Sequence, residues 1–232
     1  MKRILMIAAL FTAVVAVKAQ ESFSAYALTK PGVVVDYAYY AASMSSKPSL
    51  MGYVRTTVKA IEKDGGNDVV ITNNFFLNRK KKPSKNAAFA GFADGLDART
   101  SFWQGACTMT DILFQLAGTV KSGFFLKIPA VLKVGDKLES GSIVQTTKFP
   151  MTREVQNNIS FDDFTVTAEE DVETNAGVFH CMRIDGKLNG SFQTVKLKDT
   201  CYTLWISQNV GLVKVDTDYY KVSLVIDTVE GL

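Results

Sequence analysis

Two groups of residues in this chain of 232 could do chemistry. His180, the only histidine, stands beside Cys181 in the stretch NAGVFHCMRIDG, residues 175–186. A histidine next to a thiol supplies the ligand types of a metal site, or a nucleophile with its base. Paired carboxylates are the second group: Asp162-Asp163, Glu169-Glu170 and Asp216-x-Asp218. Two facing carboxylates are the working parts of many hydrolases. Whether either group can act depends on the elements that carry it.

Asn175-Ala176-Gly177 predicts a three-residue hairpin loop, with Gly177 taking the left-handed position that costs a Cβ-bearing residue. That loop sets Thr174 opposite Val178. It follows that Val172 faces His180, Glu170 faces Met182, Asp171 faces Cys181 and Glu169 faces Arg183. His180 then shares an apolar face with Val178, Met182 and Ile184. Cys181 points to the other side, because successive strand residues alternate. Neighbours on opposite faces cannot bind one metal or pass one proton. No other cysteine or carboxylate stands at a ligand spacing from His180, so neither a metal nor another cofactor is expected. The Glu169–Arg183 pair is expected to be exposed and worth at most ~1 kcal/mol. The same alternation separates the members of Asp162-Asp163 and Glu169-Glu170. Asp216 and Asp218 share a face, but acids so spaced are common on solvent-facing strands. No G-x-S-x-G occurs either. No catalytic residue is assigned, and the chain leans away from being an enzyme.

Three cysteines, Cys107, Cys181 and Cys201, do not make a disulfide framework. A two-residue turn at Asn189-Gly190 would place Cys181 opposite Lys198, out of bonding reach of Cys201. A five-residue loop over 189–193 would bring Cys181 and Cys201 face to face. Both arrangements are open at this level.

The chain begins MKRILMIAALFTAVVAVKAQ. Lys2 and Arg3 precede an apolar run over 4–17, and small residues flank a cut after Ala19. This is the pattern of a signal peptide, 1–19. Gln20 would follow the cut where a lipoprotein has cysteine, so the expected product is a periplasmic or secreted protein that is not lipid-anchored. The charge reading changes with it. The chain has 26 Lys+Arg and 23 Asp+Glu. Removing 1–19 takes three basic residues and no acid, which leaves a balanced chain. A global field for nucleic acid is therefore absent. No later run is apolar enough to cross a bilayer as a helix.

Residues 20–232 read as a single all-β domain. GVVVDYAYYAASM (32–44), MGYVRTTVKAIEK (51–63) and DVVITNNFFLN (68–78) predict an antiparallel meander, with Gly65-Gly66 as a hairpin turn. Arg79, Lys80, Lys81, Lys82 and Lys85 form a basic loop, read as a solvated hairpin tip. TMTDILFQLAGTV (108–120) is the one helix candidate, with Thr108 and Asp111 as a capping box. IPAVLKVGDKLESGS (128–142) reads as turns around a short apolar segment. Strands then resume to the end, at the spacing of a sandwich or barrel.

Several pieces of the last hundred residues resemble the TapB-like group of exported Gram-negative envelope proteins of unknown function. They are Pro129 with Gly135, Asp136 and Leu138; Ala176, Gly177, Phe179 and Cys181; Trp205; and Val210 to Lys214. The resemblance implies a long curved antiparallel meander, a half-barrel or open barrel, and no known activity. His180 departs from it, because the group more often has a small acidic or polar residue there. A curved sheet suggests three roles. The first is a carrier holding an apolar or lipid-like small molecule, with Tyr37, Tyr39, Phe76 and Trp205 as candidate contacts. The second is an interaction or scaffold module for an envelope protein partner. The third, a carboxylate-based hydrolase, has the least support.

Overall fold

The computed structural model describes residues 26–42, 47–84, 95–103, 106–109, 119–148, 154–192 and 195–232. The 1–19 segment and the middle of the helix candidate, 110–118, lie outside them. Among the described residues the fold is a curled half-barrel of thirteen antiparallel strands. Among the same residues no helix exceeds a single 3-10 turn at Tyr219–Lys221. The ends of the helix candidate are strand: Thr108 lies in β5 (Ala106–Met109), and β6 (Thr119–Gly123) follows.

The predicted meander is present. β1 (Val34–Ala41), β2 (Ser49–Asp64) and β3 (Asn67–Leu77) pair in sequence. Gly65 and Gly66 turn the β2–β3 hairpin at φ +57° and +87°, a region open to glycine because it has no Cβ. β4 (Leu96–Trp103), β5 and β7 (Leu126–Ile128) continue to one edge. On the other side of β1 come β13 (Val222–Glu230), β12 (Gly211–Thr217) and β11 (Val195–Ser207), each paired with the next. β10 (Gly177–Phe192), β9 (Glu154–Thr174), β8 (Ser142–Lys148) and β6 finish that wing.

The two edge strands are consecutive in the chain. Only Phe124 and Phe125 separate β6 from β7, so the sheet must bend until its edges meet. The segment 135–141 then lies between β7 and the stretch of β9 that runs past β8. On one side it bonds to β7: the Lys127 N–H donates to the Glu139 carbonyl at 2.9 Å, and the Gly141 N–H to the Phe125 carbonyl at 3.1 Å. On the other side it bonds to β9. Gly135 and Leu138 donate to the Val166 and Phe164 carbonyls, and Val166 and Phe161 donate back to Asp136 and Gly141.

Alternation sorts the side chains. The inner row Val166–Ile184–Leu204–Val215–Leu224–Tyr39–Gly52 runs from strand to strand across β9 to β2. Its aliphatic members are at most 1% exposed. Phe125, carried in from the edge link, sits 4.6 Å from Phe161, 5.3 Å from Phe164 and 5.6 Å from Tyr202 in edge-to-face contacts. Phe164 lies over Gly186, where an added Cβ would come within 2.5 Å of the ring.

Replacing Phe125 with Ala should remove both the ring cluster's centre and the apolar cover of the edge junction. A loss of about 3–5 kcal/mol is expected, read as a shift in the urea midpoint. Val178→Ala, at an exposed position, should stay within about 0.5 kcal/mol of the parent.

Candidate functional site

The hairpin that carries His180 differs from its predicted register by one residue. Gly177 pairs with Thr174 and His180 with Asp171, so the turn has two residues, Asn175 and Ala176. Neither has positive φ, whereas Gly177, already in the return strand, has φ +127°. The Thr174 hydroxyl accepts from the Ala176 N–H and donates to the Gly177 carbonyl, which tightens the turn by one position. A one-residue slip exchanges the cross-strand partners. His180 is therefore exposed, not on an apolar face. Its Nδ1 lies 2.9 Å from Asp171 and its Nε2 2.8 Å from Glu169. These two carboxylates hold its pKa above the usual 6.5. Asp171 does not face Cys181, and Glu169 does not pair with Arg183, which bonds Asp185 instead. The predicted separation of His180 from Cys181 is retained. Cys181 is fully buried, and burial with Asp171 and Glu170 nearby pushes its thiol up to about 12. No group of three or more ligand-type residues placed to hold a metal occurs among the described residues.

The three cysteines are free. Cys181 pairs with Ser207, and Cys201 with Lys187, six positions away along β10. That is about 20 Å at strand rise. Neither predicted loop forms, for one reason: β10 continues past Asn189-Gly190, with a bulge against β11, as far as Phe192, which pairs with Val195. Gly190 takes φ +118°, a conformation that favours glycine, and a Cβ there would also meet the Asn158 carbonyl at 2.1 Å.

The four aromatic candidates divide between the two faces. Tyr37, Tyr39 and Phe76 are on the inner face. The Tyr37 hydroxyl donates to the Leu212 carbonyl at 3.0 Å, and burial raises its pKa. Tyr39 is half-buried and meets Phe76 edge-on at 5.8 Å. Trp205 is on the outer face, in the row Arg183–Trp205–Lys214–Val225–Ala38–Tyr53. Its indole N–H donates to Glu170 at 2.6 Å. Lys214 lies 4.4 Å and Arg183 5.6 Å from the ring centroid, within cation–π range.

Farther along the same face, Asp36 is 2% exposed. Arg55 grips it with two bonds, at 2.7 and 2.9 Å. Lys81 lies 3.4 Å from Asp36, 2.7 Å from Asp227 and 4.8 Å from the Tyr53 centroid. Burial works against the Asp36 charge, but Arg55 and Lys81 outweigh it and hold its pKa below the usual value. The basic loop is thus not wholly a solvated tip. Asn78 takes the Lys80 and Lys82 N–H groups on its side-chain oxygen, and Lys81, at φ +54°, folds back over the sheet. Asn175 from the β9–β10 turn also donates to Asp227, at 2.7 Å. Lys85 lies outside the described residues. The sequence held a signal for this network that went unused: a lone acid inside VVVDYAYY.

Next to the Trp205 row is an open groove of about 330 Å³. Pro48, Cys201, Thr203, Asp216, Thr217, Asp218, Lys221, Val222 and Ser223 line it. Asp216 and Asp218, noted in the sequence, meet here. Asp216 pairs with Lys214 at 2.7 Å. Thr203 donates to Asp185 at 2.6 Å. Burial opposes the Asp185 charge, yet the Thr167 and Thr203 hydroxyls and Arg183 keep its pKa low. Asp218 bonds the Cys201 thiol and raises its pKa, the opposite of what a nucleophile needs. The chain turns beside the groove at Tyr220 and Lys221, two successive non-glycine residues with φ +51° and +46°, of which Lys221 lines it. Such backbone costs of order 1–3 kcal/mol per residue and gathers at ligand sites.

The family model described as DUF3108-like matches residues 30–225, and the chain belongs to that family. No curated protein matches the chain. Two solved structures share the fold. A Bacteroides fragilis protein named as exported and of YmcC-like fold is 15% identical, with a TM-score of 0.68 over 90% of this chain and 100% of its own. A Parabacteroides distasonis protein named as a lipoprotein is 16% identical, with a TM-score of 0.65 over 90% and 99%.

Two measurements check the site. Maleimide should label Cys201 in the native protein, and Cys107 and Cys181 only after denaturation, read by intact mass. By NMR, His180 should titrate above 6.5, and Asp171→Asn should lower that midpoint. The raised pKa means that the clamp's stabilising contribution is fully present below pH 6.5. It disappears as pH rises through the folded-state midpoint.

Proposed function

We propose that this DUF3108-like chain is an exported, non-catalytic binding protein of the cell envelope, and that its ligand is a small polar molecule held in the groove between β11, β12 and the 219–221 turn. Export rests on the 1–19 signal pattern with its cut near Ala19, and Gln20 in place of a cysteine after that cut favours a product without a lipid anchor. Two proteins of the same fold are named as exported and as a lipoprotein, which agrees with an envelope address. The finer likeness to the TapB-like group belongs to this proposal.

The observation that carries the reading is the groove. Thr203, Asp216, Thr217, Asp218 and Ser223 bring hydroxyls and carboxylates to one open space of about 330 Å³, at the lower end of small-molecule sites. These polar groups stand in a lining whose surface is otherwise more apolar than polar, which favours a ligand carrying hydroxyl or amino groups on an apolar frame. Binding rather than turnover is favoured because the Cys201 thiol is held protonated and His180 is engaged on a distant hairpin.

A second reading has one observation in its favour. Tyr39 is only half-buried where it meets Phe76, so an apolar or lipid-like molecule could lie against that inner rim. Phe125, Phe161, Phe164 and Tyr202 already occupy the core near the 135–141 segment, which weighs against cargo deeper inside.

Native mass spectrometry of protein purified from its own envelope separates the two. A bound mass lost in Ser223→Trp and kept in Tyr39→Ala supports the groove. The reverse moves the ligand to the inner face. Empty wild-type protein from a gentle extraction would overturn both.

A further inference from the structure

We propose that the turn over 129–137 docks the exported protein on an anionic phospholipid surface. Val131 is 68% exposed and Val134 57% exposed, three residues apart on one turn. Two large aliphatic side chains held in water so close together need an explanation that single exposed residues do not. The turn is rigid. Leu132 and Leu138 are buried on either side of Val134 and anchor it to the core. The Asp136 N–H donates to the Lys133 carbonyl, and the Lys133 N–H to the Asp136 carboxylate. Gly135 and Val166 tie the tip to β9 through bonds of 2.8 and 2.9 Å. A pre-ordered apolar tip loses little entropy on docking.

The charges identify the surface. Lys133 lies between the two valines and Lys137 follows them; both are exposed and form no ion pair among the described residues. Of the neighbouring acids, Glu139 pairs with Lys127 and Asp163 with Lys187, whereas Asp136, bonded to the Lys133 N–H, keeps its charge and leaves the turn net positive. The tip therefore presents two aliphatic side chains beside two free ammonium groups, the pattern of a segment that enters the headgroup region of an anionic leaflet. The other strongly exposed valine, Val178, shares its face with Glu169, Asp171 and Glu173. An anionic surface repels that tip, so the 129–137 turn, not the β9–β10 turn, faces the lipid.

The test is co-sedimentation of the exported wild-type protein with vesicles of phosphatidylcholine alone or with 30% phosphatidylglycerol. Pelleting is expected with the anionic vesicles, weakening as salt is raised. The double variant Val131→Asp, Val134→Asp should lose at least tenfold in partitioning, and Lys133→Gln, Lys137→Gln should lose the salt-dependent part. Thermal midpoints within a few degrees of the parent would show that both variants fold. Equal binding to the two vesicle types, none to either, or undiminished binding by the valine variant would overturn the proposal. The assay does not involve the groove, so its failure leaves the polar-ligand reading standing.

Discussion

The two edges of this sheet are one piece of chain, and that constraint shapes everything else. With β6 and β7 only two residues apart, a flat sheet of thirteen strands cannot be threaded. It has to curl, and the strap 135–141 then satisfies backbone groups that both wings would otherwise leave open. An unpaired edge invites association with other chains. Here the edge is used internally. Phe125 is carried to the centre by the same link, so the residue that closes the junction also fills it.

Once the sheet curls, its faces become unequal. The inner one receives Ile184, Leu204, Val215 and Leu224 in a continuous row and excludes water. The outer one must manage side chains that are crowded yet polar. Asp36 shows how. A carboxylate at 2% exposure is untenable alone, so Arg55 and Lys81 surround it, and Asp227 and Asn175 hold Lys81 and the hairpin tip in place. Removing one partner from such a set leaves a buried charge uncompensated. The network therefore couples three stretches far apart in sequence: the first strand, the 78–84 loop and the 175 turn.

Much of the fold was legible beforehand. Alternation and turn residues located β1 to β3, the Gly65-Gly66 turn and the later strands, and the curved sheet agreed with the resemblance. Failures clustered where a single position decides. The hairpin at 175–177 differs by one residue because the Thr174 hydroxyl closes a shorter turn than Gly177 alone implied, and this moved His180 from an apolar face to a carboxylate clamp. Asn189-Gly190 has the residues of a turn but lies inside a long strand, because its glycine is needed for close approach to Asn158. The candidate site was legible only in fragments. Asp216 and Asp218 were noticed, and Thr203, Ser223 and the strained 220–221 turn were not. Their meeting depends on the β11–β12–β13 register.

The sequence by itself determined the all-β class, the N-terminal meander and the separation of His180 from Cys181. Each of these follows from local composition or from period-two geometry, which acts over a few residues. Only the tertiary structure decided that Trp205 faces outward, that Lys81 turns back to a buried acid, and that Cys181 and Cys201 stay apart. Those outcomes depend on bulges, loop lengths and edge closure, and they are set by contacts between residues tens of positions apart.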